Sequence, residues 1–81
     1  MRRQIRLFET AGCHLCKDAL ALLAPRLALA PDSFELERVD IAEQDDLVER
    51  YGVTIPVVKR LDSGAELNWP FGPSELETFL R

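Results

Sequence analysis

The tetrapeptide Cys13-His14-Leu15-Cys16 holds both cysteines of the chain and its only histidine. Thiols at this spacing face each other across one helical turn, so the pair can close into a disulfide and open again. Three chemistries use such a pair: reversible thiol–disulfide exchange, part of a zinc site, and a structural cross-link. A zinc site takes four protein ligands, or three and a water, and two cysteines with one badly placed histidine fall short of that set. A cross-link closing so short a loop constrains the unfolded chain little. Which reading holds depends on what positions the pair.

The elements around it favour exchange. Gln4-Ile5-Arg6-Leu7-Phe8 reads as a strand, and Thr10-Ala11-Gly12 as a turn of small residues in which Gly12 is free to take a conformation that bulkier residues resist. From Cys13 onward Leu15, Ala19, Leu22 and Leu23 recur at helical spacing, and Leu20 and Leu27 widen the stripe. A C-x-x-C at the mouth of a helix puts its first thiol beside unpaired backbone donors and the positive end of the helix dipole, which favour thiolate over thiol. Cys13 is therefore the expected nucleophile. Cys16 falls one turn further in, on the buried side, where desolvation keeps it protonated until Cys13 has formed a mixed disulfide; Cys16 then attacks and releases the reduced substrate. A charged His14 would tune the pair by favouring the Cys13 thiolate and making the disulfide more oxidising. The alternative for His14 is a partly exposed first-turn residue kept neutral by the same dipole.

Further along, Pro25 predicts a kink or break near Ala24, with a short helical continuation to Leu29 before Pro31-Asp32-Ser33 ends the element. Residues 34–39 alternate apolar and charged as a second strand, and strand, long helix, strand is the pattern of a right-handed crossover between parallel strands. Residues 40–50 read as a second helix, with Leu47 and Val48 as apolar contacts, acidic residues near its start, and Gly52 as a left-handed stop. Residues 55–61 and 65–69 flank Asp62-Ser63-Gly64 as a hairpin. Ser74 with Glu77 three residues later predicts a capping box for a last helix whose apolar face is Leu76, Phe79 and Leu80. The expected order is β-α-β-α-β-β-α, an α/β fold in one domain over residues 1–81.

At 81 residues the chain has room for one small core. Ten basic against fourteen acidic residues, a net charge of −4 and no basic cluster argue against nucleic acid or anionic membranes as partners. Met1-Arg2-Arg3-Gln4 does not open a signal peptide, and Pro25 and Arg26 interrupt the most apolar stretch, residues 19–30, so the cytoplasm is the expected location. In a reducing compartment two cysteines read as catalytic or metal-binding before they read as a staple. Trp69, Pro70 and Phe71 form an apolar cluster, either packed inside or exposed as a patch for a protein partner.

Three stretches together carry a resemblance: Cys13-His14-Leu15-Cys16 after the first strand, the acidic residues 40–52, and Thr54-Ile55-Pro56-Val57 opening the third strand. Over nearly its whole length the chain resembles the thioredoxin superfamily and, within it, is most similar to the small glutaredoxin-like proteins. The resemblance implies a thioredoxin-like fold, a four-stranded mixed sheet flanked by helices. It also implies that the Ile55–Pro56 bond is cis and faces the reactive thiol, with Thr54, Ile55 and Pro56 as substrate-binding residues. The backbone of Ile55 would pair with an extended substrate. The implied activity is thiol–disulfide exchange on a disulfide-containing protein or a glutathione mixed disulfide, by a monomer with no bound cofactor or metal and with glutathione as co-substrate. The alternatives are an iron–sulfur or other metal site shared between two chains through Cys13, and an interaction domain with little turnover. The sequence also departs from glutaredoxins: His14-Leu15 replaces Pro-Tyr, Thr10 stands where a lysine usually precedes the first cysteine, and 69–74, Trp-Pro-Phe-Gly-Pro-Ser, replace a Gly-Gly-x-Asp turn. Gly72 and Ser74 then stand as candidates to bind a carboxylate, through backbone donors at a helix N-terminus, without the family's charged partners.

Overall fold

In the computed structural model, which describes residues 2–81, strand β1 (Arg3–Glu9) is paired along both edges. On one side it runs parallel to β2 (Phe34–Asp40), in register from Arg3↔Phe34 to Glu9↔Asp40. On the other it runs antiparallel to β3 (Val57–Arg60), which in turn pairs antiparallel with β4 (Glu66–Asn68). The strand order is β2-β1-β3-β4, and helices α1 (His14–Ala28), α2 (Asp45–Tyr51) and α3 (Pro73–Leu80) complete the expected β-α-β-α-β-β-α sequence.

Covering both faces of the sheet explains why β1 alternates imperfectly. Ile5 and Leu7 point into a core with Ala19, Leu23 and Leu27 of α1 and Leu76 and Leu80 of α3. Phe8 points the other way, into a smaller core with Ile41, Tyr51 and Val57. Val57 and Val58 repeat this division on β3. Burying each such side chain contributes about 1.5–3 kcal/mol, so the two faces fix the register of the central strands against a one-residue slip.

Several boundaries differ from expectation. Pro25 lies inside α1 without breaking it. Both Pro25 and Ala21, whose carbonyl loses its donor, lie on the exposed side, where solvent can satisfy that carbonyl. The helix expected over residues 40–50 is divided: Asp40 ends β2, Ile41–Glu43 form a single 3-10 turn, and α2 begins only at Asp45. Asp40 causes the division, because its carboxylate accepts from the Ala42 N–H at 2.9 Å and caps the turn. Gly52 is right-handed, with φ −53° and ψ −32°, and is needed for space instead: a Cβ there would stand 2.4 Å from the Val48 carbonyl oxygen. Strand β3 starts at Val57, two residues after the expected Ile55, and β4 spans only Glu66–Asn68. The α3 cap also lies two residues earlier than the Ser74–Glu77 reading: Gly72 is the N-cap, its N–H donates to Glu75 Oε1 at 2.7 Å, and Ser74 sits in the first turn. Phe71 is buried in the larger core with Trp69 packed edge-on against it, their ring centroids 5.1 Å apart. Among the described residues no helix is long and apolar enough to cross a membrane.

Candidate active site

The parallel pairing of β1 and β2 brings their C-terminal ends together at Glu9↔Asp40, and the antiparallel Phe8↔Val57 pair brings the start of β3 to the same end. Both the Cys13–Cys16 segment and the Thr54-Ile55-Pro56 loop leave the sheet there. Gly12, at φ +79°, turns the chain from β1 into α1. Cys13 is the N-cap of α1, in extended conformation, and its Sγ accepts from the Cys16 N–H at 3.1 Å. The two sulfurs are at disulfide distance, with Cα atoms 5.2 Å apart.

The two cysteines differ in access. Cys16 is fully buried, because with Ala19, Leu23 and Leu27 it completes the stripe that α1 turns to the sheet. Cys13 is only partly covered. His14 and Leu15 between them face outward, Leu15 being 48% exposed although it matches the helical apolar spacing.

A cleft of about 380 Å³ opens beside the sulfurs. Its walls include Glu9, Lys17, Arg38 and Asp40, four charged residues that sequence reasoning did not select. Arg38 grips Glu9 through two hydrogen bonds, Nε to Oε2 at 2.6 Å and Nη2 to Oε1 at 3.3 Å. That pairing raises the Arg38 guanidinium further above its ordinary range. In the sequence Glu9 and Asp40 each directly follow a stretch that reads as strand; in the structure each is the last residue of its strand, and parallel pairing brings them together.

The predicted substrate-binding residues divide into two places. The Ile55–Pro56 bond is cis, Pro56 is buried, Ile55 is half-buried and Thr54 is exposed. The N–H groups of Thr54 and Ile55 both donate to the Tyr51 carbonyl, at 2.9 and 3.1 Å, and the Thr54 hydroxyl donates to the same oxygen. Gly72 and Ser74 lie at the start of α3, and, like Thr54, Ile55 and Pro56, they do not line the cleft beside the sulfurs. The Gly72 N–H is already occupied by the Glu75 carboxylate, and Pro73 has no N–H to offer. Trp69–Pro70 is a second cis bond at the entrance to this loop, unanticipated from the sequence. Among the described residues no group of three or more His, Cys, Asp or Glu side chains is arranged to hold a metal ion.

Comparison with known proteins agrees with this geometry. The family model described as "Glutaredoxin-like domain (DUF836)" matches residues 4–81. The structure of target protein XcR50 from X. campestris is 33% identical, covers 94% of this chain and 93% of its own, and superposes with a TM-score of 0.78. Protein Ne2328 from Nitrosomonas europaea superposes with a TM-score of 0.79 at 24% identity, covering 100% of this chain and 94% of its own. The oxidized form of mitochondrial thioredoxin 3 from Saccharomyces cerevisiae superposes at 0.72 with 19% identity, over 96% of this chain and 76% of its own, so the fold is that of thioredoxin. No curated protein matches the sequence. A thioredoxin-like fold carrying a cysteine pair at disulfide distance is consistent with a redox role.

Proposed function

The chain belongs to the glutaredoxin-like (DUF836) domain family, and from that premise we propose that it is a thiol–disulfide oxidoreductase in which Cys13 attacks and Cys16 resolves. The observation that carries this reading is the asymmetry of the pair: Cys13 is reachable and receives the Cys16 N–H at 3.1 Å, whereas Cys16 is sealed in the core. After reduction the same N–H and the helix dipole stabilise a Cys13 thiolate.

In the forward step the Cys13 thiolate attacks one sulfur of the substrate disulfide, and the other sulfur leaves as a thiolate that takes a proton. Cys16 loses its proton and attacks the Cys13 sulfur, and the second substrate thiolate leaves and is protonated. Two electrons have then passed from the pair to the substrate, one of the two protons taken up matching that lost by Cys16 and the other coming from water, and a Cys13–Cys16 disulfide remains. A thiol reductant returns the pair to the dithiol.

The surroundings favour a protein disulfide as substrate over a glutathione mixed disulfide. With the Ile55 N–H bonded to Tyr51, its carbonyl is the group left to pair with an extended chain. A glutathione carboxylate directed to the start of α3 meets the Glu75 carboxylate already bonded to Gly72. Turnover of a protein disulfide and of a glutathione mixed disulfide, by wild type, Cys13→Ser and Cys16→Ser, tests the proposal. Cys13→Ser is expected to be inactive with both, and Cys16→Ser to keep activity only with the glutathione substrate. Full activity in Cys13→Ser would refute the mechanism.

A further inference from the structure

On the face of the sheet opposite α1 and α3, the strand registers place four charged residues in one row: Glu37 on β2, Arg6 on β1, Lys59 on β3 and Glu66 on β4. Their side chains share the face of Phe8 and Val57, two residues along each strand, by strand alternation. Helix α2 has only seven residues, about 10 Å of length at 1.5 Å per residue. With the preceding 3-10 turn it covers the Phe8 and Val57 row. Beyond it Glu37, Arg6 and Lys59 of the charged row remain as the floor of an open cleft of about 760 Å³.

The middle of that row is two cations in direct cross-strand opposition, Arg6 and Lys59, an arrangement that is unfavourable unless anions neutralise both. The protein supplies a partner for one. Arg6 Nε bonds Glu37 Oε1 at 2.5 Å. Glu66, which pairs across the strand with Lys59, is engaged elsewhere: its Oε2 accepts from the Tyr51 hydroxyl at 2.5 Å and lies 3.9 Å from Arg50 Nη2. Among the described residues Lys59 is in no ion pair within 4.0 Å. Arg50, from α2, lines the same cleft, as does Arg38, whose guanidinium is bonded to Glu9. The counter-charges at the opening are Glu43 and Asp46, both exposed, while Asp40 is held by its turn. The cleft floor therefore sets Arg6, already paired with Glu37, beside Lys59, an ammonium in no ion pair among the described residues, below an acidic rim, in a volume of the order of 300–1,000 Å³ that small-molecule sites occupy.

We propose that this cleft is a second binding site, separate from the dithiol, for a small molecule carrying a phosphate at one end and hydroxyl or amino donors at the other. The phosphate sits over Lys59 and Arg6 within reach of Arg50, and the donor end faces Glu43 and Asp46. The site makes no use of the cysteines and stands whether or not Cys13 is a nucleophile.

Amide chemical shifts of the full chain, titrated with AMP, with adenosine and with inorganic phosphate, test the site. AMP is expected to move the amides of Arg6, Lys59, Arg50 and Tyr51 saturably, adenosine to leave them in place, and inorganic phosphate to bind more weakly than AMP. Lys59→Gln is expected to weaken AMP binding about tenfold, the loss of one charge-assisted hydrogen bond, with Lys59→Arg near wild type and both variants keeping a dispersed spectrum. AMP shifts that do not saturate, shifts confined to the dithiol cleft or the start of α3, or unchanged affinity in Lys59→Gln would each overturn the proposal. Inorganic phosphate binding as tightly as AMP would overturn the two-ended ligand.

Discussion

The Cys16 N–H points at the Cys13 sulfur from 3.1 Å, and across the same cleft the Glu9 carboxylate is held away from free charge by Arg38. The first contact favours a Cys13 thiolate, and the second keeps a neighbouring anion from opposing it. In the reduced protein Cys13 is thus expected to titrate below a free cysteine and Cys16 above one. Arg38→Ala should raise the apparent pKa of Cys13 and slow its alkylation at neutral pH several-fold, while Glu9→Gln should shift it the other way. The pH dependence of iodoacetamide alkylation reads both, and identical profiles in wild type and Arg38→Ala would remove Arg38 from the account.

Arg60 is the one buried charged residue among those described, at 8% exposure. Its guanidinium binds both oxygens of Asp62, at 3.0 and 2.7 Å, and donates to the carbonyls of Phe79 and Arg81, tying β3 to the end of α3. Arg60→Leu leaves those carbonyls without their donor and should cost about 1–3 kcal/mol in urea unfolding. Arg60→Lys, which cannot reproduce the planar fork, should recover only part of this.

Gly52 departs from the usual rule for glycine substitutions, and Gly12 lies outside it. Glycine to alanine at a right-handed position commonly stabilises by about 0.4–1 kcal/mol, but Gly52→Ala forces a Cβ against the Val48 carbonyl and should instead destabilise, by about 1–3 kcal/mol. Gly12→Ala meets no atom within 4 Å, so its cost is only the left-handed backbone, about 1–2 kcal/mol. Unfolding midpoints of the two variants separate steric from conformational cost.

The carboxyls of Asp62 and Glu77 are held below their ordinary range by hydrogen bonds from Arg60 and Arg26. A carboxylate whose folded pKa is depressed adds stability above its unfolded pKa and loses it as pH falls through the folded one. Thermal stability should therefore be flat between about pH 5 and about pH 9 and decline below about pH 4, with a shallower decline in Asp62→Asn and Glu77→Gln. Tyr51 gives the opposite limb: burial, then the hydrogen bond to Glu66, raises its pKa. Its contribution is present below the ordinary tyrosine value of about 10 and is lost as pH rises past it; Tyr51→Phe should flatten that loss.

Element order and the place of the cysteine pair at the mouth of a helix were legible in the residues themselves, because helical spacing through Leu15, Ala19, Leu22 and Leu23 and a turn glycine ahead of Cys13 are local properties of the chain. The buried stripe nonetheless runs through Cys16, Ala19, Leu23 and Leu27 and leaves Leu15 exposed. Element boundaries were less legible where a side chain outside the pattern decides: the Asp40 cap divides the expected second helix, and Glu75 moves the last cap to Gly72. Pro25 looked like a break because sequence does not say which side of a helix meets solvent. What only the tertiary structure decided is register. Parallel pairing sets Glu9 beside Asp40 and Leu7 beside Arg38, so three charges join Lys17 at the dithiol, and antiparallel pairing opposes Arg6 to Lys59 on the part of the sheet that α2 leaves open. Residues about thirty or fifty positions apart carry no mark of each other until the strands align.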